Sequence, residues 1–221
     1  TQADFLARDI GFAGMTSECG VFWKGKPLGR LRLRVPGLHN VYNALAAVAV
    51  GMDLGLPFET IRDALGEFMG VDRRFQIRGE ARGISVVDDY AHHPAEIQAT
   101  LDAAKNGFGR QVLAVFQPHR YTRTRALLAE FSTAFYQADR LFVTEIYPAG
   151  EAPIEGVSGR QIADGVAGHG HKHVTYVADK ADLPAAVLEA AQPGDMVVTL
   201  GAGDIWRVGE DILERLRAAE R

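Results

Sequence analysis

The chain has 221 residues, of which 47% are hydrophobic and 24% charged, a balance typical of a globular protein with one or two domains. Its formal net charge of −4 argues against a general nucleic-acid-binding protein, because such proteins are usually basic. The single cysteine, Cys19, excludes an intrachain disulfide and suits a reducing compartment, and no apolar run is long enough to span a bilayer. We therefore expect a cytoplasmic protein without nucleic-acid or membrane partners.

The first 35 residues are predicted to form β-structure. Leu31, Leu33 and Val35 alternate with arginines in the second arm of a hairpin, whose turn is predicted at Gly25 to Pro27. This alternation predicts a strand with one buried and one solvated face.

A polar cluster marks the start of the next element. Ala-rich sequence predicts a helix from Val41 to Leu54, closed by Gly55. Asn40 is the expected N-cap, Asn43 lies one turn later on the same face, and His39 precedes the cap. Capping alone explains Asn40. The three groups together are also suited to binding a ligand.

From Gly79 onward, predicted strands and helices alternate, which indicates parallel strands joined by right-handed crossovers in a doubly wound α/β sheet. The strands are predicted at 84–87, 112–116, 141–146, 174–177 and 196–200, and the helices at 94–106, 124–138, 159–166, 181–191 and 206–217. We place the domain boundary near residues 76–79, which gives a first domain of residues 1–77 and a second of residues 78–221.

One strand-to-helix crossing has the sequence Asp88-Asp89-Tyr90-Ala91-His92-His93-Pro94. Ligands of α/β sheets bind at such crossings, beyond the carboxyl ends of the strands. The alternative is an ordinary loop in which an aspartate caps the helix. A metal site here is disfavoured because neighbouring strand residues point to opposite faces. The alternating His169, His171 and His173 are interpreted as a solvated loop in preference to a metal site.

A second crossing runs from Phe116 to Arg125. Arg120 and Arg123 begin a helix three residues apart, so both can face one ligand. Arginine at a helix N-terminus opposes the macrodipole, and this misfit indicates anion binding, although a solvated basic loop is the alternative. If the strands before the two crossings are neighbours, the two crossings face a common crevice. A Gly201-Ala202-Gly203-Asp204 loop could add an anion nest, but packing explains it equally well.

Six stretches, in order over nearly the whole chain, resemble the Mur ligase family. They are His39 to Ala47, Gly70 to Phe75, Asp88 to Pro94, Phe116 to Thr124, Tyr147 to Glu151 and Gly201 to Ile205. The first two are family-wide, whereas the Asp-Asp-Tyr and His-Arg-Tyr-Thr-Arg-Thr stretches are much more specific.

The resemblance implies that residues 1–77 are the end of a central ATP-binding domain and residues 78–221 a complete, mostly parallel Rossmann-like domain that binds an amino acid. The chain contains no Gly-x-x-x-x-Gly-Lys-Thr phosphate loop. Its opening, Thr1 to Asp4, is interpreted as an internal position of a longer protein. On this interpretation the lysine of the phosphate loop and the main Mg²⁺ ligands lie upstream, and the chain alone is expected to be inactive.

The reaction implied is ATP-dependent ligation of L-alanine to the lactyl carboxylate of UDP-N-acetylmuramate through an acyl phosphate, in peptidoglycan precursor synthesis. By resemblance, one set of residues contacts ATP, with Asp89 favoured for the ribose, and a second set surrounds L-alanine. The ATP set is His39, Asn40, Asn43, Arg74 and Asp89; the L-alanine set is Tyr90, His92, His119, Arg120 and Arg123, of which His92, Arg120 and Arg123 are also expected to be catalytic.

Two alternatives stay open. A murein-tripeptide recycling ligase shares the Asp-Asp-x-x-His-His-Pro stretch, but it lacks the His-Arg-Tyr-Thr-Arg-Thr run present here from His119 to Thr124. A standalone dinucleotide-binding module would need a Gly-x-Gly-x-x-Gly turn after a strand near a domain start, and this sequence has none.

Overall fold

The computed structural model describes residues 3–220 and divides into two compact units. Among the described residues, the first unit contains residues 3–71 and 106–109, and the second contains residues 72–105 and 110–220. The predicted boundary near residues 76–79 falls in the first strand of the second unit. Thr1 and Gln2, the start of the opening that was interpreted as internal, lie outside the described residues.

The first unit pairs a small antiparallel sheet with two helices. Its elements are β1 (Phe5–Ala13), β2 (Thr16–Trp23), β3 (Lys26–Leu33), α1 (Leu38–Asp53) and α2 (Phe58–Glu67). The turn lies at Lys24-Gly25, both with positive φ, and not at Gly25 to Pro27, because Lys26 already pairs with Trp23. Leu31 and Leu33 are buried as the alternation predicts.

Helix α1 begins earlier than its sequence suggested. Its N-cap is Gly37, whose φ of 96° is accessible to glycine at little cost, and Asn40 lies inside the first turn. The prediction of Asn40 as N-cap was therefore wrong. At the other end Gly55, with φ 82°, donates its N–H to the carbonyl of Met52 and closes the helix as predicted.

The second unit is a sheet with helices, and in the described residues its strand order is β4-β5-β9-β6-β7-β8. All neighbouring pairs are parallel except β4–β5, which is antiparallel and was not predicted. The strands are β4 (Gln76–Ala81), β5 (Ile84–Asp89), β6 (Val112–Phe116), β7 (Arg140–Val143), β8 (Val174–Tyr176) and β9 (Met196–Leu200). The helices are α3 (Pro94–Phe108), α4 (Tyr121–Ala126), α5 (Leu128–Phe131), α6 (Gly159–Gly168), α7 (Leu183–Ala190), preceded by a 3₁₀ turn (Lys180–Asp182), and α8 (Trp206–Ala218).

The central strands are buried on both faces, as expected for a sheet that is covered by helices. Every residue of β5, β6 and β9 is buried. On one face α7 and α8 pack against Val86, Val115 and Val197, and elsewhere the ring of Phe116 lies 5.5 Å from that of Phe131. This core fixes where the carboxyl ends of the strands lie. No helix among residues 3–220 combines the length and apolar character needed to cross a bilayer.

The prediction of a single helix at 124–138 was wrong, because the segment is interrupted. The chain makes α4 and α5 and then turns, with a break at Leu127, whose φ is −117°. The Thr124 and Ser132 hydroxyls each donate to the carbonyl four residues earlier. Such back-bonding bends helices, which is consistent with the interruption.

Candidate active site

Three loops meet at the carboxyl edge of the second unit's sheet. They follow β5, β9 and β6 and contain Tyr90 to His93, Gly201 to Asp204 and Gln117 to Arg120. The strands before the two predicted crossings are not neighbours, because β9 lies between them. The crossings still converge, since the rings of His92 and His119 have centroids 5.8 Å apart.

Four aromatic rings form a continuous row across this edge. Tyr90 meets His92 edge-on at 5.3 Å, and His119 stacks on Tyr147 at 5.6 Å with an interplanar angle of 8°. The Tyr147 backbone bridges the second crossing: its N–H donates to Pro118 at 2.8 Å, and its carbonyl accepts from Arg120 at 2.9 Å. Tyr147 was not among the predicted site residues, although its motif belonged to the resemblance.

Gly203 is needed for this row to form. A Cβ built at Gly203 would lie 2.7 Å from a ring atom of Tyr147 and 2.7 Å from the Gln117 side-chain oxygen. The Tyr147 ring therefore packs against bare backbone on the β9 loop while it stacks on His119. Close packing therefore explains why residue 203 is a glycine. Packing was one of the two explanations that the sequence left open for this loop, and an anion nest was the other.

Arg123 is bound to His119. Its Nη1 lies 3.2 Å from His119 Nδ1 and 3.2 Å from the His119 carbonyl oxygen. The pKa of His119 is lowered from its ordinary value, first by burial and then by the positive charges of Arg123, His92 and Arg120, in that order. The negative charge of Glu151 opposes this lowering. These effects favour the neutral form of the His119 imidazole.

Arg120 has an unusual backbone and a loosely held side chain. Its φ of 73° is rare for a residue with a side chain, and its N–H and carbonyl are both hydrogen-bonded, to Tyr147 and Thr124. Its guanidinium is about half exposed and lies 3.7 Å from Glu151. Glu151 accepts from the Thr122 hydroxyl and backbone N–H, and these two bonds lower the pKa of Glu151. Arg120 can therefore turn to an incoming anion at little cost.

His92 is oriented by the loop that carries it. Its Nδ1 lies 2.9 Å from the Tyr90 carbonyl oxygen and 3.5 Å from Glu96 Oε2. Glu96 also accepts the backbone N–H groups of His92 and His93, at 3.0 and 3.2 Å, at the start of α3. Burial raises the pKa of Glu96, but these N–H donors, His92 and Arg74 together lower it. Glu96 was not predicted as a site residue, and the His93 residue is exposed.

The carboxylates of Asp88 and Asp89 both bind groups within the second unit itself. Asp88, at 1% exposure, accepts from Arg73 Nε and from the Thr199 hydroxyl, both at 2.8 Å. Asp89 accepts the backbone N–H groups of Phe75 and Ala91, each at 2.7 Å. Burial raises the pKa of Asp89, and those two bonds oppose the rise. Both Asp89 oxygens are committed, which counts against the predicted ribose contact; that contact stays a prediction.

The two adjacent arginines have different environments. Arg73 donates to the carbonyls of Gly201 and Gly203, at 2.8 and 3.2 Å, in addition to its bond to Asp88. Arg74 is half exposed, lies 3.7 Å from Glu96 and stacks over the Tyr90 ring at 5.7 Å. Arg74 is thus the member of the pair with the more exposed guanidinium, and its contact with ATP stays a prediction.

In the first unit, the predicted adenine residues lie at the start of α1. Asn40 donates to the Pro36 carbonyl at 2.8 Å, and Asn43 donates to Asn40 Oδ1 at 3.4 Å. Asn43 is exposed, whereas His39 and Asn40 are partly buried. The amide of Asn43 therefore keeps an oxygen for a ligand, while Asn40 mainly holds the turn.

Within residues 3–220, no three His, Cys, Asp or Glu side chains come together in a way that could hold a metal ion. In the histidine-rich loop His169 contacts the Gly165 carbonyl at 2.8 Å and His171 contacts the Ala138 carbonyl at 2.9 Å. Each of these two rings is thus hydrogen-bonded to a backbone carbonyl.

The sequence profile described as Mur ligase, glutamate ligase domain matches residues 73–203. The UDP-N-acetylmuramate–L-alanine ligases of Syntrophotalea carbinolica and Geobacter sulfurreducens are 54% and 52% identical to the chain over 98% and 100% of its length. The matches cover 47% and 48% of those proteins, so the chain spans about half the length of the curated relatives it matches.

Solved structures agree with the sequence comparison. The UDP-N-acetylmuramate-alanine ligase of Thermotoga maritima superposes with a TM-score of 0.83 at 31% identity, covering 99% of this chain and 47% of that one. A murein peptide ligase from Psychrobacter arcticus gives 0.65 at 25% identity, covering 97% and 44%. Because the family profile spans more than half of the residues, the chain belongs to the Mur ligase family.

Proposed function

We propose that this chain carries the amino-acid-binding part of an ATP-dependent ligase that joins L-alanine to UDP-N-acetylmuramate in cytoplasmic peptidoglycan precursor synthesis. The observation that carries the proposal is the convergence of His92 and His119, with ring centroids 5.8 Å apart, beside Arg120 and Arg123. The names of the relatives that match the chain at 54% and 52% identity support the choice of substrates.

The cationic end of this site suits the carboxylate of an amino acid. Arg120 and Arg123 both lie close enough to His119 to influence its titration, so the two guanidinium groups belong to one electrostatic environment. A guanidinium can bind a carboxylate through two parallel hydrogen bonds. We propose that L-alanine places its carboxylate on these arginines and its amine toward His92.

The nucleotide contacts are proposed from accessibility. The half-exposed guanidinium of Arg74 suits a phosphate oxygen, and the exposed amide of Asn43 suits the edge of adenine. ATP would supply the phosphoryl group that activates the sugar carboxylate. The described residues gather no set of metal ligands, so we propose that Mg²⁺ is held mainly by groups other than these.

The chain's own contribution to the reaction is positioning and charge neutralisation. The row from Tyr90 to Tyr147 forms one wall, and the arginines fix one end of the amino acid, so the amine is held in one direction. Cationic side chains near the reacting centre also stabilise charge that develops on a departing phosphate.

A chimera tests the proposed function. The 217 matched residues of this chain replace the aligned segment of the S. carbinolica ligase, and phosphate release is measured with ATP, UDP-N-acetylmuramate and L-alanine. The proposal predicts release that requires all three substrates. A chimera that is folded by circular dichroism and binds ATP, but shows no L-alanine-dependent release beside an active parent enzyme, contradicts it.

A further inference from the structure

The Nδ1 atoms of the two facing histidines have opposite hydrogen-bond partners. His92 Nδ1 lies 2.9 Å from the Tyr90 carbonyl oxygen, which can only accept, so His92 Nδ1 carries a proton. His119 Nδ1 lies 3.2 Å from Arg123 Nη1, which can only donate, so His119 Nδ1 carries none. In the neutral rings, His92 therefore has a free lone pair on Nε2, and His119 has a hydrogen there.

We propose that His92 is the base that takes the proton from the ammonium group of the amino acid, through Nε2, and that His119 is a neutral hydrogen-bond donor and not a base. The assignment rests on the proposed function for its substrate. The division of roles itself follows from the partners of the two Nδ1 atoms.

The surroundings of His92 permit it to gain a charge. Protonation at Nε2 leaves the Nδ1 bond to Tyr90 intact, so no contact has to break. The Glu96 carboxylate, on α3, lies 3.5 Å from His92 Nδ1, and the Arg74 guanidinium lies 3.7 Å from Glu96. From the β6 side, the ring of His119 faces that of His92 at 5.8 Å, and Arg120 and Arg123 lie close enough to His119 to lower its pKa.

His119 has the opposite constraint. Protonation of its Nδ1 would place an N–H against the Arg123 guanidinium and break the 3.2 Å contact. The lowered pKa of His119, caused first by burial and then by Arg123, agrees with a ring that stays neutral. Its Nε2–H is left to donate to an oxygen of the substrate or of the departing phosphate.

The proposed step transfers one proton from the ammonium group to His92 and a second proton to the departing phosphate. One ammonium N–H bond breaks and its proton moves to His92 Nε2. The amine lone pair then forms the C–N bond at the acyl phosphate carbon, and the C–O bond to phosphate breaks with its electron pair leaving on phosphate. The nitrogen loses a second proton to the departing phosphate, and His92 later returns its own proton to solvent.

The first test is independent of the proposed function. Long-range ¹⁵N–¹H correlation spectra of the 221-residue chain at neutral pH report the tautomer of each histidine, with assignments from His92→Gln and His119→Gln. We expect the Nδ1–H form for His92 and the Nε2–H form for His119. An Nε2–H form for His92, or an Nδ1–H form for His119, overturns the assignment.

The second test uses the pH dependence of the chimera. His92→Gln should lower kcat about 10²–10⁴-fold and remove the loss of rate on the acid side, with the L-alanine KM nearly unchanged. His119→Gln should keep the acid-side loss, and the exposed His93→Gln serves as control. Retention of the acid-side loss in His92→Gln overturns the proposal. A parent chimera without L-alanine turnover would instead count against the proposed function, and the tautomers would still decide the assignment of the rings.

Discussion

The Arg73 guanidinium donates from Nε to Oδ2 of Asp88 at 2.8 Å, and the carboxylate of that aspartate is almost completely buried. The same guanidinium reaches the carbonyls of Gly201 and Gly203, so one side chain links the ends of β5 and β9. Arg73 is thus part of the framework under the site, whereas its neighbour Arg74 is the arginine predicted to contact ATP.

This relationship predicts a contrast between neighbouring arginines. Arg73→Ala should destabilise the 221-residue chain by about 3–5 kcal/mol, because it leaves Asp88 buried without its cation. Arg74→Ala is the matched control and should cost less than about 1 kcal/mol, since its pairing with Glu96 is solvent-exposed. Urea unfolding measures both. Equal effects of the two substitutions would contradict the structural role of Arg73.

Gly203 offers a test of the packing beneath Tyr147. Gly203→Ala should destabilise the chain by about 1–3 kcal/mol, because the new methyl group would lie 2.7 Å from the Tyr147 ring. Gly168→Ala, at the end of α6, has no atom within 4 Å of its new Cβ and should be neutral or slightly stabilising. Thermal melts compare the two. If Gly203→Ala has the same melting temperature as the wild type, the close contact between residue 203 and the Tyr147 ring is absent in solution.

The amino-acid contacts predict that charge alone is insufficient. In the chimera, Arg123→Lys and Arg120→Lys should each lower kcat/KM for L-alanine, because lysine cannot make the planar two-point contact. The corresponding loss of transition-state stabilisation should be about 1.5–3 kcal/mol. The ATP KM should stay nearly constant. Arg125→Lys, an exposed position on α4 itself, is the control and should behave as the parent. Full L-alanine efficiency in both test variants would place the amino-acid site elsewhere.

The nucleotide proposal is tested at the start of α1. Asn43→Ala in the chimera should weaken ATP binding by about 1–3 kcal/mol and leave the L-alanine KM unchanged, since an adenine edge would lose its amide partner. The fold should tolerate the change because Asn43 is exposed. Steady-state kinetics with each substrate varied in turn gives both values. A raised L-alanine KM with an unchanged ATP KM would contradict the proposed contact between Asn43 and adenine.

The sequence predicted the strands with continuous apolar runs well, because burial on both faces leaves little choice of residue. Val112–Phe116 and Met196–Leu200 were predicted with their observed bounds. It did not predict that the last strand lies between β5 and β6, since strand order depends on contacts far apart in sequence. The unpredicted strand β4 has a mixed pattern with mostly exposed or half-buried residues, which hides its period.

Three of the candidate site residues lie together in the structure, and their role in binding an amino acid stays a prediction. His92, His119 and Arg123 were singled out by residue type at two crossings, and the structure brings them together. Asp89 carried the same type of signal, yet its oxygens bind backbone N–H groups. Sequence spacing cannot distinguish a carboxylate that faces a ligand from one that holds a loop, because both uses require a buried polar group with partners.

The most direct test of the central claim is the choice of amine by the chimera. Phosphate release with ATP and UDP-N-acetylmuramate is compared for L-alanine, glycine, L-leucine and a murein tripeptide at equal concentration. We expect L-alanine to give the highest kcat/KM and Arg123→Lys to lower the kcat/KM for L-alanine specifically. Higher kcat/KM for the tripeptide, with L-alanine unreactive, would contradict the account and assign the chain to the peptide-recycling branch of the family.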